Sequence, residues 1–299
     1  MKNELLVQKY RRYLLLERGL SKNTISAYMT DLLKLISYVE EHELSIKDLK
    51  TSHLEEFLAG LYVQGIKPRS IARILSGVKS FYHFLFLDKY IEVNPSEILE
   101  SPQIGLKLPT VLSVEEIDSI LSAIDVSTVE GTRNYAIIET LYSCGLRVSE
   151  VANLRFTNLF FDEGFIRIDG KGSKQRLVPI SDTAINKIKS YLNYRNSIIA
   201  KKGSEDFVFL SKRGTPISRI TIFWYIKQYT ESAGITKTIS PHTFRHSFAT
   251  HLIERGANIR YVQAMLGHEK ITTTEIYTHL DMNFFRQEII SHHPLNKDE

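Results

Sequence analysis

The chain has 299 residues, 43% of them hydrophobic and 24% charged, which is typical of a globular protein long enough for two domains. Its formal net charge of +4 permits a polyanionic partner without requiring one. A single cysteine, Cys144, excludes an intramolecular disulfide and a thiolate metal cluster, and we expect a buried structural thiol. The start, Met1-Lys2-Asn3-Glu4, carries charge where a secretory signal needs an apolar run. We therefore expect a cytoplasmic protein that makes no contact with membranes.

The first ninety or so residues are predicted to be helical from their apolar periodicity. Ser21 is a candidate N-cap, and apolar residues then recur at helical spacing from Ile25 to Ile36. A second helix begins near Ser70 and carries one apolar stripe, formed by Ile71, Ile74, Leu75, Val78, Phe81, Tyr82 and Leu85. Arg73 lies off this stripe, so it faces either solvent or a partner.

A break in both periodicities separates this region from the rest of the chain. The segment 94–109 contains Pro95, Pro102, Gly105 and Pro109, which is typical of a linker. It predicts an N-terminal domain over residues 1–93 and a C-terminal domain over residues 110–299. Ser113 then begins a new helix, since acidic residues follow it at the positions of a capping box.

A β-hairpin is predicted early in the C-terminal domain. Residues 165–169 alternate apolar and polar side chains, residues 170–173 form a glycine-rich turn, and the chain returns over residues 176–180. Lys171 lies at the tip, from which an exposed amine can reach a neighbouring site. An ordinary solvated turn gives the same pattern.

Three helices are predicted after the hairpin. The first follows Ser240-Pro241, where serine suits the N-cap and proline the first helical position, and it ends near Gly256. The second is short and is closed by Gly267, which leaves His268 exposed. The third carries Tyr277, although in a chain with 15 tyrosines a packed aromatic is the simpler interpretation of that residue alone.

His242 and Arg245 are three residues apart, so they lie on one face near the start of the first of these helices. An imidazole and a guanidinium beside free backbone N–H groups suit an anion. Phe244 and Phe248 are expected to anchor the helix in the core. His242 and His246 also have the spacing of two metal ligands, but no glutamate follows His242 as in a His-Glu-x-x-His metalloprotease. A metal site is therefore disfavoured.

Arg147 begins another predicted helix just after Gly145, with Glu150 three residues further on. The helix dipole opposes a cation at this end, so either a phosphate ligand or the Glu150 carboxylate must offset its charge. Taken alone, the two residues are most simply interpreted as a structural ion pair.

Taken in chain order, these fragments resemble the tyrosine recombinases. The matching fragments are Gly-Leu-Arg147-x-x-Glu150, Lys171 on a hairpin, His242-x-x-Arg245-His, Leu-Gly-His268 and Tyr277-Thr-His. The resemblance covers nearly the whole chain and is closest to the bacterial Xer recombinases, with the ending His292-His293-Pro294 favouring the XerD branch. Phe244 and Glu275 stand where the family more often has leucine and glutamine.

The resemblance implies a mainly α fold with a small β-sheet. An N-terminal helical core-binding domain and an α+β catalytic domain would form a clamp on DNA. The implied activity is site-specific cutting and rejoining of DNA strands through a 3′-phosphotyrosyl intermediate, with no metal or other cofactor. The implied catalytic residues are Arg147, Lys171, His242, Arg245, His268 and the nucleophile Tyr277. Arg73 and Lys174 are further candidates for contacts with DNA phosphates.

The implied partners are double-stranded DNA at a specific palindromic site, a second Xer-type recombinase within a tetramer, and a septal DNA translocase. The expected role is resolution of chromosome dimers at cell division. The main competing function is that of an integrase of a mobile element; because the core-binding helices begin almost at Met1, we expect no arm-binding domain of the two-site phage type. Less favoured functions are a type IB topoisomerase, a DNA-binding module without catalysis and a metal-dependent hydrolase. The tail over residues 282–294 is predicted to pack either on its own chain or on a neighbouring protomer.

Overall fold

The structure is a computed structural model that describes residues 2–103, 105, 110–170, 175–267, 289 and 291–294. The chain divides into two compact units, Met1–Lys107 and Leu108–Glu299. The linker that the sequence predicts over 94–109 falls at this division, and its limits stay a prediction. No helix in the described ranges combines the length and the apolar character needed to cross a membrane.

The first unit is helical, as predicted. Its described helices are α1 (Lys2–Leu16), α2 (Lys22–Glu41), α3 (Thr51–Val63) and α4 (Pro68–Leu87). Ser21 caps α2 through its side chain, which accepts a hydrogen bond from the Thr24 N–H. The apolar stripe of α4 is buried, so this helix forms the centre of the unit's core. Burial of that stripe stabilises α4 far more than helix propensity does.

The second unit surrounds one almost fully buried helix. Its described helices are α5 (Val114–Ser122), α6 (Val129–Ser143), α7 (Val148–Ala152), α8 (Asp182–Arg195), α9 (Arg219–Ser232), α10 (Pro241–Glu254) and α11 (Ile259–Leu266). Helix α6 is buried over most of its length, because α8 packs against one side of it and α10 against another. Its buried residues lie on all sides and include the polar Arg133, Asn134 and Glu139, so the helix has no single apolar stripe.

The predicted hairpin is confirmed, with its second strand shifted by one residue. The strands β1 (Leu159–Phe160), β2 (Phe165–Asp169) and β3 (Gln175–Pro179) form an antiparallel sheet in the order β1-β2-β3. Ile166 pairs with Val178 on the buried face of the sheet. The tip, residues 171–174, lies outside the described residues.

Helix α10 is anchored as the sequence predicts. Phe244 and Phe248 are fully buried, and the Phe248 ring also contacts the buried His293 near the chain's end, with ring centroids 5.8 Å apart. Cys144 is buried as well, and burial raises the pKa of its thiol to about 12, which makes it a structural residue.

The described part of the tail packs on its own chain, because Ile289 belongs to the hydrophobic core and the His293 ring contacts Phe248. Docking of the tail on a neighbouring protomer stays a prediction.

Candidate functional site

The site begins where α7 starts, at the pair of Arg147 and Glu150. One carboxylate oxygen of Glu150 accepts from the Arg147 backbone N–H at 2.8 Å, and the other accepts from Arg147 Nη1 at 2.9 Å. The carboxylate thus offsets the unfavourable position of an arginine at a helix start, one of the two solutions the sequence allowed. The Arg147 side chain remains 40% exposed, while Glu150 is buried.

A second arginine reaches the same carboxylate from the sheet. Arg176 of β3 donates from Nη1 and Nη2 to the two oxygens of Glu150, each at 2.8 Å. Its Nε donates to the carbonyl of Met265 at 2.8 Å, and its side chain is only 8% exposed. Such a two-bond arginine–carboxylate pair is directional and strong.

Arg245 of α10 is the third arginine of the cluster. Its Nη1 donates to the carbonyl of Gly145 at 2.8 Å, and its Nη2 donates to the carbonyl of Leu266 at 2.5 Å. Burial, and then the neighbouring Arg147 cation, lower the pKa of Arg245 to about 10, so the guanidinium stays charged at neutral pH.

The C-terminal end of α11 organises these three side chains. The successive carbonyls of Met265, Leu266 and Gly267 accept from Arg176, Arg245 and Arg147, the last through a longer contact of 3.5 Å. The last carbonyls of a helix have no partner within the helix and form the negative end of its dipole. The end of this helix therefore stabilises guanidinium groups that would otherwise repel one another.

An open pocket of about 380 Å³ lies beside the cluster, and both His242 and Arg245 line it. His242 is exposed in the first turn of α10, and His246, one turn further on, is partly buried. Three guanidinium groups against one carboxylate leave an excess of positive charge. Fixed arginines and an imidazole beside such a pocket are suited to hold a phosphate and to stabilise charge that develops on it.

The structure thus brings together three of the predicted catalytic residues, Arg147, His242 and Arg245. Lys171, His268 and Tyr277 lie outside the described residues, as does the predicted phosphate contact Lys174. Their roles stay predictions.

Arg73 belongs to the first unit, where it forms an ion pair with the buried Asp31. Its side chain is half exposed, with Nη1 committed to that carboxylate. A contact between Arg73 and DNA stays a prediction.

Arg176 was not predicted as a site residue from the sequence, although a signal was present. In β3 the residues alternate between faces, so Arg176 lies on the same face as the buried Val178. A charged side chain at an inward position requires a partner, because an unpaired buried charge is very costly. That pattern indicates a buried ion pair but does not identify Glu150 as its partner.

His242 and His246 have the spacing of two metal ligands, whereas His251, further along α10, has a structural partner. His251 is buried, and its Nδ1 shares a hydrogen bond of 2.8 Å with the Tyr142 hydroxyl. Among the described residues, no group of three or more histidine, cysteine, aspartate or glutamate side chains could hold a metal ion.

Gly145 is required by both its backbone conformation and its surroundings. Its φ is +58°, and a Cβ at this position would lie 2.4 Å from the Phe248 ring. We expect Gly145→Ala to lower the free energy of unfolding by about 2 kcal/mol or more, because it adds a left-handed strain to a clash in the core. Thermal denaturation measures the loss. Gly203→Ala is the matched control, since Gly203 has φ +84° but open space around it, and equal losses in the two variants would contradict the expectation.

Glu150 is expected to contribute stability that depends on pH. Burial opposes its ionisation, but hydrogen bonds and charge from Arg176, together with the bonds from Arg147, hold its pKa below the ordinary 4.5. A lowered pKa adds stability above the ordinary value, and that stability is lost as pH falls through the folded-state pKa. Glu150→Gln should therefore cost about 3–5 kcal/mol at neutral pH and weaken the acid dependence below pH 4.5.

Denaturant unfolding across this pH range tests the prediction. Glu130→Gln is the matched control, because Glu130 pairs with the exposed Lys212 and should contribute about 0–1 kcal/mol. A Glu150→Gln variant as stable as the control at neutral pH would show that the pair with Arg176 adds no net stability.

Both units of the chain match models of known protein families. Residues 110–283 match the Phage integrase family, and residues 7–89 match the Phage integrase, N-terminal SAM-like domain. Tyrosine recombinase XerD of Staphylococcus aureus strain Mu50 is 41% identical over 97% of this chain and 99% of that protein. The corresponding protein of Staphylococcus haemolyticus strain JCSC1435 is 40% identical over the same shares.

Solved structures show the same architecture. The XerH site-specific recombinase bound to its palindromic difH substrate in a post-cleavage complex matches with a TM-score of 0.72 and 25% identity. The match covers 91% of this chain and 81% of that one. The XerA recombinase matches over 98% of this chain and 99% of its own, with 28% identity and a TM-score of 0.50.

Proposed function

This chain belongs to the phage integrase family and is a tyrosine recombinase, and on that premise we propose that Arg147 and Arg245 bind the scissile DNA phosphate that Tyr277 attacks. The observation that carries the proposal is the convergence of three arginines on the C-terminal end of α11, beside a pocket that His242 lines. The clustered guanidinium groups are held by backbone carbonyls and by Glu150, so they are in place before a phosphate arrives.

The proposed reaction transfers the phosphoryl group from the 5′-oxygen of a deoxyribose to the tyrosine oxygen and back. The Tyr277 oxygen forms a bond to phosphorus while the bond from phosphorus to the 5′-oxygen breaks. His242 accepts the phenol proton, and Lys171 donates a proton to the departing 5′-oxygen. Because the tyrosyl ester keeps the energy of the broken bond, a 5′-hydroxyl of another strand can reverse the step without an external energy source.

The positively charged side chains of the site lower two barriers to this reaction, the high pKa of the tyrosine and the charge that develops on phosphorus. A free tyrosine has a pKa of about 10, so positive neighbours are needed to favour its phenolate at neutral pH. The pentavalent phosphorus carries an extra negative charge, which Arg147 and Arg245 stabilise through paired hydrogen bonds. His268, which follows the end of α11 in sequence, is proposed to donate a further hydrogen bond to the same group.

The biological role that fits is resolution of chromosome dimers at cell division. Support comes from the XerD relatives and from XerH, which was solved in a post-cleavage complex with a palindromic substrate. In this role the enzyme acts in the cytoplasm as a tetramer on two palindromic sites, with a second Xer-type recombinase and a septal DNA translocase. Arg73 and Lys174 are proposed to contact the DNA backbone. The competing role within the family, integration of a mobile element, is less favoured by the XerD relatives.

A plasmid resolution assay tests the function. Supercoiled plasmids would carry two copies of the host's terminus-region palindrome or none, with the host's second recombinase and a chelator present. We expect resolution of the two-site plasmid alone. Relaxation of the plasmid without sites would indicate a topoisomerase, and loss of activity on chelation would indicate a metal-dependent hydrolase.

A further inference from the structure

The Glu150 carboxylate is saturated with hydrogen bonds. Oε1 accepts from Nη1 of both Arg147 and Arg176, and Oε2 accepts from the Arg147 backbone N–H and from Arg176 Nη2. A carboxylate offers about four acceptor positions, so these four bonds fill it. Half of that capacity is taken by Arg176, and Arg147 engages Glu150 through a single guanidinium nitrogen.

Because Arg176 takes half of the acceptor positions of Glu150, the Arg147 guanidinium keeps capacity to bind a ligand. Its side chain is 40% exposed, whereas those of Arg176 and Glu150 are below 10%. If Arg176 were absent, the carboxylate would have two acceptor positions open next to Arg147. The Arg147 guanidinium would then turn to satisfy them with both of its terminal nitrogens, because an unpaired buried carboxylate is costly.

Arg176 also connects the sheet to the end of α11. Its Nε donates to the Met265 carbonyl, and its side chain packs so closely on Gly267 that a Cβ there would lie 3.1 Å from Arg176 Cδ. Gly267, with φ +66°, both ends α11 and offers its carbonyl to Arg147. The same side chain thus fixes two groups that set the position of Arg147.

We infer that Arg176 is a positioning residue for phosphate activation: by saturating Glu150 and bracing the end of α11, it aims the Arg147 guanidinium at the scissile phosphate. The inference rests on the proposed function. The Arg176 side chain is itself buried and acts through Arg147. Its loss should therefore imitate the loss of Arg147 in one specific respect, the need for charge stabilisation on phosphorus.

Single-turnover cleavage of modified DNA isolates this need for charge stabilisation on phosphorus. A nicked duplex would carry either the normal phosphodiester or a methylphosphonate, in which a methyl group replaces one non-bridging oxygen at the scissile position. The methylphosphonate is neutral, so its transition state depends less on arginine. A third duplex with sulfur at the 5′-bridging position provides a leaving group that needs no proton, and thereby reports on Lys171.

We expect Arg176→Gln and Arg147→Gln each to slow cleavage of the phosphodiester by about 10²-fold or more. On the methylphosphonate duplex, both arginine variants should cleave within about tenfold of the wild-type rate. The duplex with sulfur at the 5′-bridging position should restore cleavage only to Lys171→Ala. Arg155→Gln is the matched control, because Arg155 also pairs with a carboxylate, Asp206, and should behave as wild type on all three substrates.

Arg176→Lys provides a second variant if Arg176→Gln unfolds, as melting curves would show. It keeps the positive charge but loses the two-pronged geometry, and it should show the same substrate preference in weaker form. The inference is overturned if a folded Arg176 variant is equally slow on phosphodiester and methylphosphonate, or as fast as wild type on both. The proposed function fails instead if wild type forms no covalent product, or if Arg147→Gln cleaves the phosphodiester normally.

Discussion

Tyr277→Phe is expected to bind DNA as tightly as the wild-type chain and to form no covalent product with it. The substitution removes one oxygen, which is the atom proposed to attack phosphorus, and leaves the arginine cluster unchanged. DNA affinity should persist because it comes chiefly from contacts between cationic side chains and phosphates. Electrophoretic mobility shifts at fixed salt measure the affinity, and denaturing gels measure the covalent product.

Tyr194→Phe is the control for this substitution. Tyr194 lies on the exposed side of α8, where its side chain is 45% exposed, and it does not line the pocket beside Arg245. We expect this variant to form the covalent product at the wild-type rate. Covalent product from Tyr277→Phe would assign the nucleophile to another residue.

Arg245→Ala should slow cleavage by about 10²-fold or more, since removal of one donor to a developing negative charge typically costs that much. Arg245→Lys should be nearly as slow. An ammonium group on a flexible stem cannot bridge the carbonyls of Gly145 and Leu266 while also presenting a planar fork to phosphate. The measurement is single-turnover cleavage of a nicked duplex.

The control for buried arginine loss is Arg195→Ala. Arg195 is also buried and also donates to backbone carbonyls, those of Glu205, Phe207 and Val208, but it lies outside the pocket. We expect it to lower the melting temperature while leaving the cleavage rate of the folded protein near that of wild type. If Arg245→Ala retained a rate within a few-fold of wild type, its proposed contact with phosphate would be wrong.

Local sequence signals predicted the elements that present the site. Ser21 and Ser113 mark helix starts because a side-chain oxygen before an apolar stripe satisfies free N–H groups, and both caps are present. The spacing of Phe244 and Phe248 correctly placed α10 in the core. Spacing also predicted the pair of Arg147 and Glu150, because side chains three residues apart at a helix start lie close together.

Contacts between residues far apart in the chain could not be predicted in this way. Arg245 bonds to Gly145 across 100 residues, and Arg176 bonds to Met265 across 89. Periodicity says which face of an element is buried but not which partner it meets. The end of α11 shows the consequence: its closing Gly267 was predicted, whereas its use as a common acceptor for three arginines emerges only from the packing of α7, β3, α10 and α11.

Covalent trapping tests the central claim, nucleophilic attack by Tyr277, most directly. Purified wild-type protein and Tyr277→Phe would each be given nicked duplexes bearing the host's terminus-region palindrome, with chelator present and with the host's second recombinase added in a parallel reaction. We expect a denaturation-resistant protein–DNA band from wild type alone, whose peptide map places the DNA on Tyr277. Tight binding without such a band in either reaction, or a band that maps to another residue, would contradict the claim.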